Sequence, residues 1–371
     1  MSETVLITGG AGFIGRHVAR ALLERGHRVR VLDALIDQVH PDRKRPDELD
    51  AEVELIAGDV RDEIALVKAL DGVDSVVHLA AEVGVGQSMY AVDRYVSVNE
   101  YGTAMLFQKL IDRPVRRVVT ASSMSIYGEG LYRDADGNLI EEAVRKPRKG
   151  GMGSWDPLDA RGRPLVPLPT PETKRPSLAS VYALGKYAQE RLTLTLTAAY
   201  GMEGVALRLF NVYGPGQALS NPYTGVLAIF ASRLANGQPP MIFEDGQQRR
   251  DFVHVTDVAR AFALALEHPQ APGEVFNIGS GRERTVTKVG QLLARAMGRP
   301  EIRPEIIAKG RTGDIRHCFG DVSKVERHLG FRPERDFSEG LAELAAWVAR
   351  QQAADRVQQA RDELDARGLV A

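Results

Sequence analysis

Through its first half the chain alternates short apolar runs with stretches of helical periodicity. The runs "TVLIT", "HRVRVLD", "VELIAGD", "DSVVHLAA" and "VRRVVTASS" read as strands. Between them, "FIGRHVARALLERG" with its glycine stop and the long "YVSVNEYGTAMLFQKLI" carry the period of helices. Strands alternating with helices predict a parallel sheet covered on both faces, an α/β fold of the doubly wound kind. From about 129 to 173 the rhythm breaks into glycine, proline and charge ("GNLIEEAVRKPRKGGMGSWDPLDARGRP"), an excursion rather than an element. Pattern resumes with the helix around "SVYALGKYAQE" and the strand "GVALRLF", and is mixed after Gly214. The expected division is a sheet domain over 1–210 that carries the insertion and is rejoined by parts of 251–280. A smaller, discontinuous α/β lobe follows over 211–250 and 281–350, with a C-terminal helix in 351–371. There Val357, Ala360 and Leu364 form one stripe ahead of Gly368, which predicts a helix packed on its own chain or on a partner.

Composition narrows the class. At 371 residues with 44% apolar and 26% charged content, the chain can bury a large core. A formal net charge of -1 offers no field for nucleic acid or an anionic membrane. The single Cys318 excludes an internal disulfide framework and a zinc knuckle built on cysteine pairs, and no metal is expected. The opening "MSETVLITGGAGFIG" has no basic leader, and no apolar run is long enough to span a bilayer. A soluble cytoplasmic protein is the expectation.

"LITGGAGFIG" places Gly9, Gly12 and Gly15 between a strand and a helix. Glycine there lets backbone N–H groups approach a pyrophosphate at a helix N-terminus, where the dipole favours negative charge. Asp33 ends the next strand, at about the 20-residue distance expected of a ribose-binding acid. Its carboxylate would accept from the adenosine ribose and repel a 2′-phosphate, so a Rossmann-type sheet binding NAD rather than NADP is predicted. The basic run at 42–45 reads as a solvated loop.

Tyr182 and Lys186 stand four apart in a helical pattern, on one face. Such a pair is ordinarily surface decoration. Here a nicotinamide is expected nearby and a serine cluster, "ASSMSIYG", precedes it. A phenol near its usual pKa of about 10 is a poor base at neutral pH. An adjacent ammonium and a cationic oxidised nicotinamide both favour phenolate and are expected to bring that pKa toward the working range.

The ordered motifs "TGGAGFIG", "GDVRD", "HLAA", "NEYGT", "SSMSIYG", "YALGK", "RLFNVYGPGQ", "RRDFVHVTDVA", "FNIGSG" and "RTGD" run nearly end to end. With them the chain resembles an extended short-chain dehydrogenase/reductase of the NAD-dependent nucleotide-sugar epimerase/dehydratase family. The resemblance implies a cofactor site of Gly9, Gly12, Phe13, Ile14, Gly15 and Asp33, with Asp59 and Val60 flanking the adenine. Leu79, Ala80 and Ala81 would lie along the cofactor, and Asn99 would belong to the same region under the sheet. It implies a catalytic Ser123 beside Tyr182 and Lys186, with Lys186 also holding the nicotinamide ribose. Ser125 would touch substrate, whereas Ser122 is as well read as a strand-end cap. Asn211, Arg250, Arg311 and Asp314 would hold the nucleoside diphosphate, and Val85 and Gln87 would border the sugar. Arginine suits phosphate because its planar fork bonds two oxygens.

The family's 4,6-dehydratases carry Thr-Asp-Glu at the catalytic hydroxyl; this chain has Ser123-Met124-Ser125, without the acids that drive water loss. What remains is oxidation at C4, rotation of the ketosugar and hydride return to the opposite face. A 4-ketoreductase would use the same residues, and a non-catalytic dinucleotide-binding protein would share the fold. The opening of the excursion, "YGEGLYRDADGN", and the terminal "ELDARGLV" resemble the dTDP-L-rhamnose 4-epimerase and UDP-hexose 4-epimerase branch. The resemblance thus implies a dTDP- or UDP-linked sugar, and a homodimer formed through a four-helix bundle of helices at about 93–112 and 180–199. The excursion is either a lid that excludes water or a decorative, oligomer-contacting loop.

Overall fold

Seven parallel strands form the main sheet of the computed structural model. It describes residues 2–145, 154–221, 223, 225–311, 313–351 and 357–370. The strand order is Val275–Ile278, Glu203–Leu209, Arg117–Ser123, Ser75–His78, Thr4–Thr8, Arg28–Asp33, Glu54–Ala57. Thr4–Thr8, Ser75–His78 and Arg117–Ser123 are buried along their whole length, as central parallel strands covered on both faces must be. The period of two assigns their side chains. Val5 and Ile7 join Val18, Leu22, Val258 and Phe262 on one face. Leu6 joins Leu66, Leu106, Phe107 and Val118 on the other. Fully burying each such large aliphatic or aromatic side chain is worth about 1.5–3 kcal/mol.

The order reverses at Thr4–Thr8, whose neighbours lead outward in opposite directions, and ligands of such sheets bind at the carboxyl ends beside that point. Gly9 follows at once, at φ +68°, and a Cβ on it would stand 2.8 Å from the Ala80 backbone. Helix Phe13–Leu23 then packs so closely that a Cβ on Gly15 would lie 2.5 Å from Gly10 Cα.

A second core, with Leu227, Phe230, Val289, Leu293, Leu341 and Leu344, is built by helices Val226–Ala235, Val286–Ala296 and Phe337–Val348. Strand Val275–Ile278 lies between these helices in sequence yet joins the edge of the main sheet. No helix among the described residues is long and apolar enough to cross a membrane.

Two expectations about elements change. The long helix carries a π bulge: Val92–Val96 and Gly102–Asp112 are α-helical, and Ser97–Tyr101 between them is a π turn with helical backbone at both junctions. The excursion is not structureless, because Leu131–Arg133 pairs antiparallel with both Leu139–Ile140 and Val166–Leu168. Short β runs hidden among glycine and charge leave too weak a pattern to read. Residues 146–153 of the excursion lie outside the described residues, as do 352–356 of the C-terminal segment, whose helix is Val357–Asp365.

Candidate active site

One cavity of about 640 Å³ opens at the carboxyl ends of the strands. Its cofactor end is lined by Gly9, Gly12, Phe13, Ile14, Gly15, Asp33, Asp59, Val60, Leu79, Ala80 and Ala81. Gly12 caps helix Phe13–Leu23 without a side-chain hydrogen bond, and the first turn carries no acid, so its N–H groups are left for an anion. Asp33 accepts from Ala11 N (3.0 Å) and Leu35 N (2.9 Å), which fixes its carboxylate. Each oxygen keeps a lone pair for a diol. Asp59 is held by Arg61 at 2.6 Å, and that hydrogen bond keeps its carboxyl below the usual range. A glycine cradle, uncapped helix donors and a fixed carboxylate are what a dinucleotide needs.

Ser123 ends the strand two places from Thr4–Thr8, beside helix Val181–Ala199. Ser180 caps helix Val181–Ala199 by accepting from Ala183 N (3.1 Å), which sets Tyr182 in the first turn and Lys186 a turn later. Ser123 ends its strand on the same cavity, and Ser125 Oγ donates to Ser123 Oγ at 2.9 Å. Burial pushes the Tyr182 phenol up, and the Ser123 hydroxyl facing it pulls the other way. Lys186 is buried too, and desolvation pushes its ammonium down to about 7. The expected acidic phenol is therefore not produced by the chain's own cation: at neutral pH Lys186 is only partly charged.

Lys186 Nζ donates to Gln189 Oε1 at 2.7 Å. Gln189 Nε2 in turn donates to Thr103 Oγ1 (2.9 Å) and Ala80 O (3.2 Å), and lies 3.1 Å from His78 Nε2. Burial and the charge of Lys186 push His78 down to about 3, so it is neutral at working pH. Ser122 is not a strand-end cap; its hydroxyl donates to Glu190 (2.7 Å), which also binds Arg208.

At the far end the cavity meets Val85, Asn211, Arg250, Arg311 and Asp314. Asn211 Oδ1 is buried with no hydrogen-bond partner. A buried carbonyl left unpaired costs free energy, which a ligand donor would recover. Arg250 gives 2.9 Å bonds to Arg249 O and Arg316 O and also binds Ile315 O, so it holds the loop it was expected to share with a phosphate. Arg311 pairs with Asp314 (2.9 Å) and stacks on Phe243 at 4.3 Å.

Two expected site residues do not line the cavity. Gln87 accepts from Arg94 (2.6 Å), Tyr95 (3.2 Å) and Gln38 (3.2 Å), so its carbonyl is already saturated away from any sugar. Asn99, fully buried, accepts from Glu82 N (2.7 Å) and donates to Glu82 O (3.1 Å), pinning the loop after Ser75–His78. No described residue between Ser125 and Tyr182 lines the cavity either. The described part of the excursion packs behind the substrate end: Arg145 binds Asp314 O, and Asp156 bonds Arg316 (2.7 Å) and His317 (3.0 Å). Sequence reasoning missed Glu82, Tyr223, Phe243 and, from the C-terminal helix, Val357, Ala360, Arg361 and Leu364. The apolar stripe 357/360/364 was the one signal available, but a stripe does not say what it faces.

Known proteins agree with this geometry. The family description "NAD dependent epimerase/dehydratase family" matches residues 5–149 and 163–279. A dTDP-L-rhamnose 4-epimerase from Burkholderia thailandensis is 36% identical over 94% of this chain and 96% of its own. The crystal structure of a UDP-glucose 4-epimerase from Thermotoga maritima with UDP-glucose superposes with TM-score 0.76 at 31% identity, covering 94% of this chain and 99% of that one. A UDP-glucose 4-epimerase from Thermus thermophilus, in complex with NAD, gives TM-score 0.75 at 30% identity over 94% and 100% of the two chains.

Proposed function

The chain belongs to the NAD dependent epimerase/dehydratase family, and from that premise we propose that it inverts C4 of a nucleoside-diphosphate sugar, dTDP-L-rhamnose by preference. The observation that carries this reading is the company Ser123 keeps. Tyr182, Lys186 and the unpaired Asn211 carbonyl share its cavity, and the residues following it onto that wall are Met124 and Ser125, not acids. Without a carboxylate pair there, water loss has no acid–base catalyst, and reversible oxidation remains.

Bound NAD supplies the acceptor and donor of hydride; Gly9, Gly12, Phe13, Ile14, Gly15, Asp33, Asp59, Val60 and Leu79–Ala81 are the residues that would hold it. Ser123, steadied by Ser125, orients the C4 oxygen. Tyr182 takes the C4 hydroxyl proton and returns it once the sugar has turned its other face. Lys186, whose Nζ is fixed by Gln189, would position the nicotinamide ribose. Because burial leaves the phenol high, the positive charge that oxidised NAD would bring to this site is what would favour the Tyr182 phenolate. Asn211, Arg311 and Asp314 face the nucleotide half. A homodimer through helices Val92–Val96, Gly102–Asp112 and Val181–Ala199, in the cytoplasm, completes the proposal.

The test is dTDP-L-rhamnose with purified enzyme and no added cofactor, followed by NMR at H4. Conversion to an equilibrium mixture with the 6-deoxy-L-talose nucleotide is expected. Oxidation to the 4-ketosugar only with added NAD(P)+, one equivalent of NAD(P)H formed per sugar and no C4 inversion, would make the enzyme a 4-ketosugar reductase run in reverse and end the epimerase reading.

A further inference from the structure

The C-terminal helix Val357–Asp365 lies outside both stretches that match the family description. Yet Val357, Ala360, Arg361 and Leu364 line the same cavity as Tyr182. Ala360 and Leu364 are 6% and 5% exposed, so the helix is seated rather than loosely attached. A Cβ on Gly86 would stand 3.5 Å from both terminal carbons of Leu364, which puts Leu364 on the Val85–Ser88 turn. That turn is close to the chemistry. A Cβ on Gly313 would meet Ala179 O at 3.2 Å and Val85 Cγ1 at 3.6 Å, just ahead of Tyr182.

Polar ties hold the helix there. Glu363 Oε2 accepts from Tyr90 (2.9 Å) and Tyr223 (2.7 Å), and these bonds keep its carboxyl ionised below the usual range. Arg367 stacks on the Tyr90 ring at 4.3 Å. Past the helix, Val370 forms a β-bridge to Arg311. The segment therefore spans from the loop bearing Val85 to the loop bearing Arg311 and Asp314, the two sides of the substrate end. Arg361, the charged member of the cavity face, lies 3.7 Å from Asp365.

We propose that this helix is a wall of the sugar subsite, and that Leu364 with Ala360 and Val357 selects a sugar whose facing substituent is apolar, as the C6 methyl of a 6-deoxyhexose is. The proposal rests on the nucleotide-sugar reading above. A hydroxyl set against these side chains would leave water without gaining a partner, whereas a methyl gains contact area. Discrimination by a wall of this kind is roughly ten- to hundred-fold.

The experiment compares dTDP-L-rhamnose with dTDP-L-mannose, which differs from it only by a hydroxyl on C6, on the NAD-loaded full chain and on Leu364→Ser. The kcat/KM preference for the 6-deoxy sugar is expected to fall roughly ten-fold or more in the variant, with NAD content held. Glu363→Ala, which cuts the ties to Tyr90 and Tyr223 without touching the apolar face, is expected to lower it in the same direction. Binding of the same nucleotides to Tyr182→Phe, with and without Leu364→Ser, reads the wall independently of turnover. If C4 is inverted but neither kcat/KM nor binding preference moves, the wall is refuted and the reaction stands. If no sugar is inverted but the binding preference shifts, the reaction is refuted and the wall stands.

Discussion

At the scale of single residues, the site is a set of groups whose burial has moved their protonation. Tyr182→Phe removes the proton carrier and is expected to lower turnover by roughly 10²–10⁴-fold while NAD stays bound, checked by absorbance of the released cofactor. Lys186 leaves a signature in stability. In the unfolded chain its ammonium persists to about 10.5, and in the fold it is lost near 7. Between these values the unfolded state binds more protons, so stability rises with pH across that window. Below about 7 the cost of the buried charge is present in full. The cofactor-free enzyme should gain Tm from pH 7 to pH 9, and Lys186→Met should flatten that slope. Asn211→Leu takes away an acceptor with no partner in the chain, so KM should rise roughly ten-fold with Tm unchanged or higher.

Elements matter here through their ends. Helix Val181–Ala199 carries both Tyr182 and Lys186, and Ser180 caps it. Ser180→Ala should cost about 1 kcal/mol in chemical denaturation and lower kcat more than it raises KM, since it loosens the turn bearing Tyr182. Gly15→Ala presses a methyl against Gly10 backbone at 2.5 Å; about 1–3 kcal/mol and much of the NAD affinity should be lost, measured by denaturation and by cofactor retention. The π turn Ser97–Tyr101 is the element that aims Asn99 at Glu82, and such bulges are common at functional sites.

For the whole molecule the open question is what covers its apolar outer faces. Val92 (45% exposed), Val96 (36%), Tyr101 (54%) and Leu184 (46%) stand out on the helices expected to pair. Isolated exposed aliphatics are ordinary, but these sit on two mutually packed helices. Val96→Glu with Leu184→Glu should convert a dimer to a monomer in light scattering while leaving the NAD site intact.

How much could be read without coordinates differs by kind of residue. The strand–helix rhythm, the glycine cradle, Asp33, and Tyr182 one turn from Lys186 were all legible, because each depends on neighbours within about one element. Gln87 and Asn99 were not, since whether a buried amide meets a ligand or a backbone depends on residues far along the chain: Gln38, Arg94 and Tyr95 for one, Glu82 for the other. Nor was it legible that a helix more than 170 residues beyond Tyr182 in sequence lines the cavity, since that too is a long-range contact. Local order along the chain determined the sheet strands, the glycine turn after Thr4–Thr8 and the one-turn spacing of Tyr182 and Lys186, because hydrogen-bonded periodicity and helix geometry act over a few residues. Tertiary packing alone decided that burial pushes the Tyr182 phenol up, which polar groups stay unpaired, and what Leu364 packs against, because desolvation and contact are properties of everything the fold brings near.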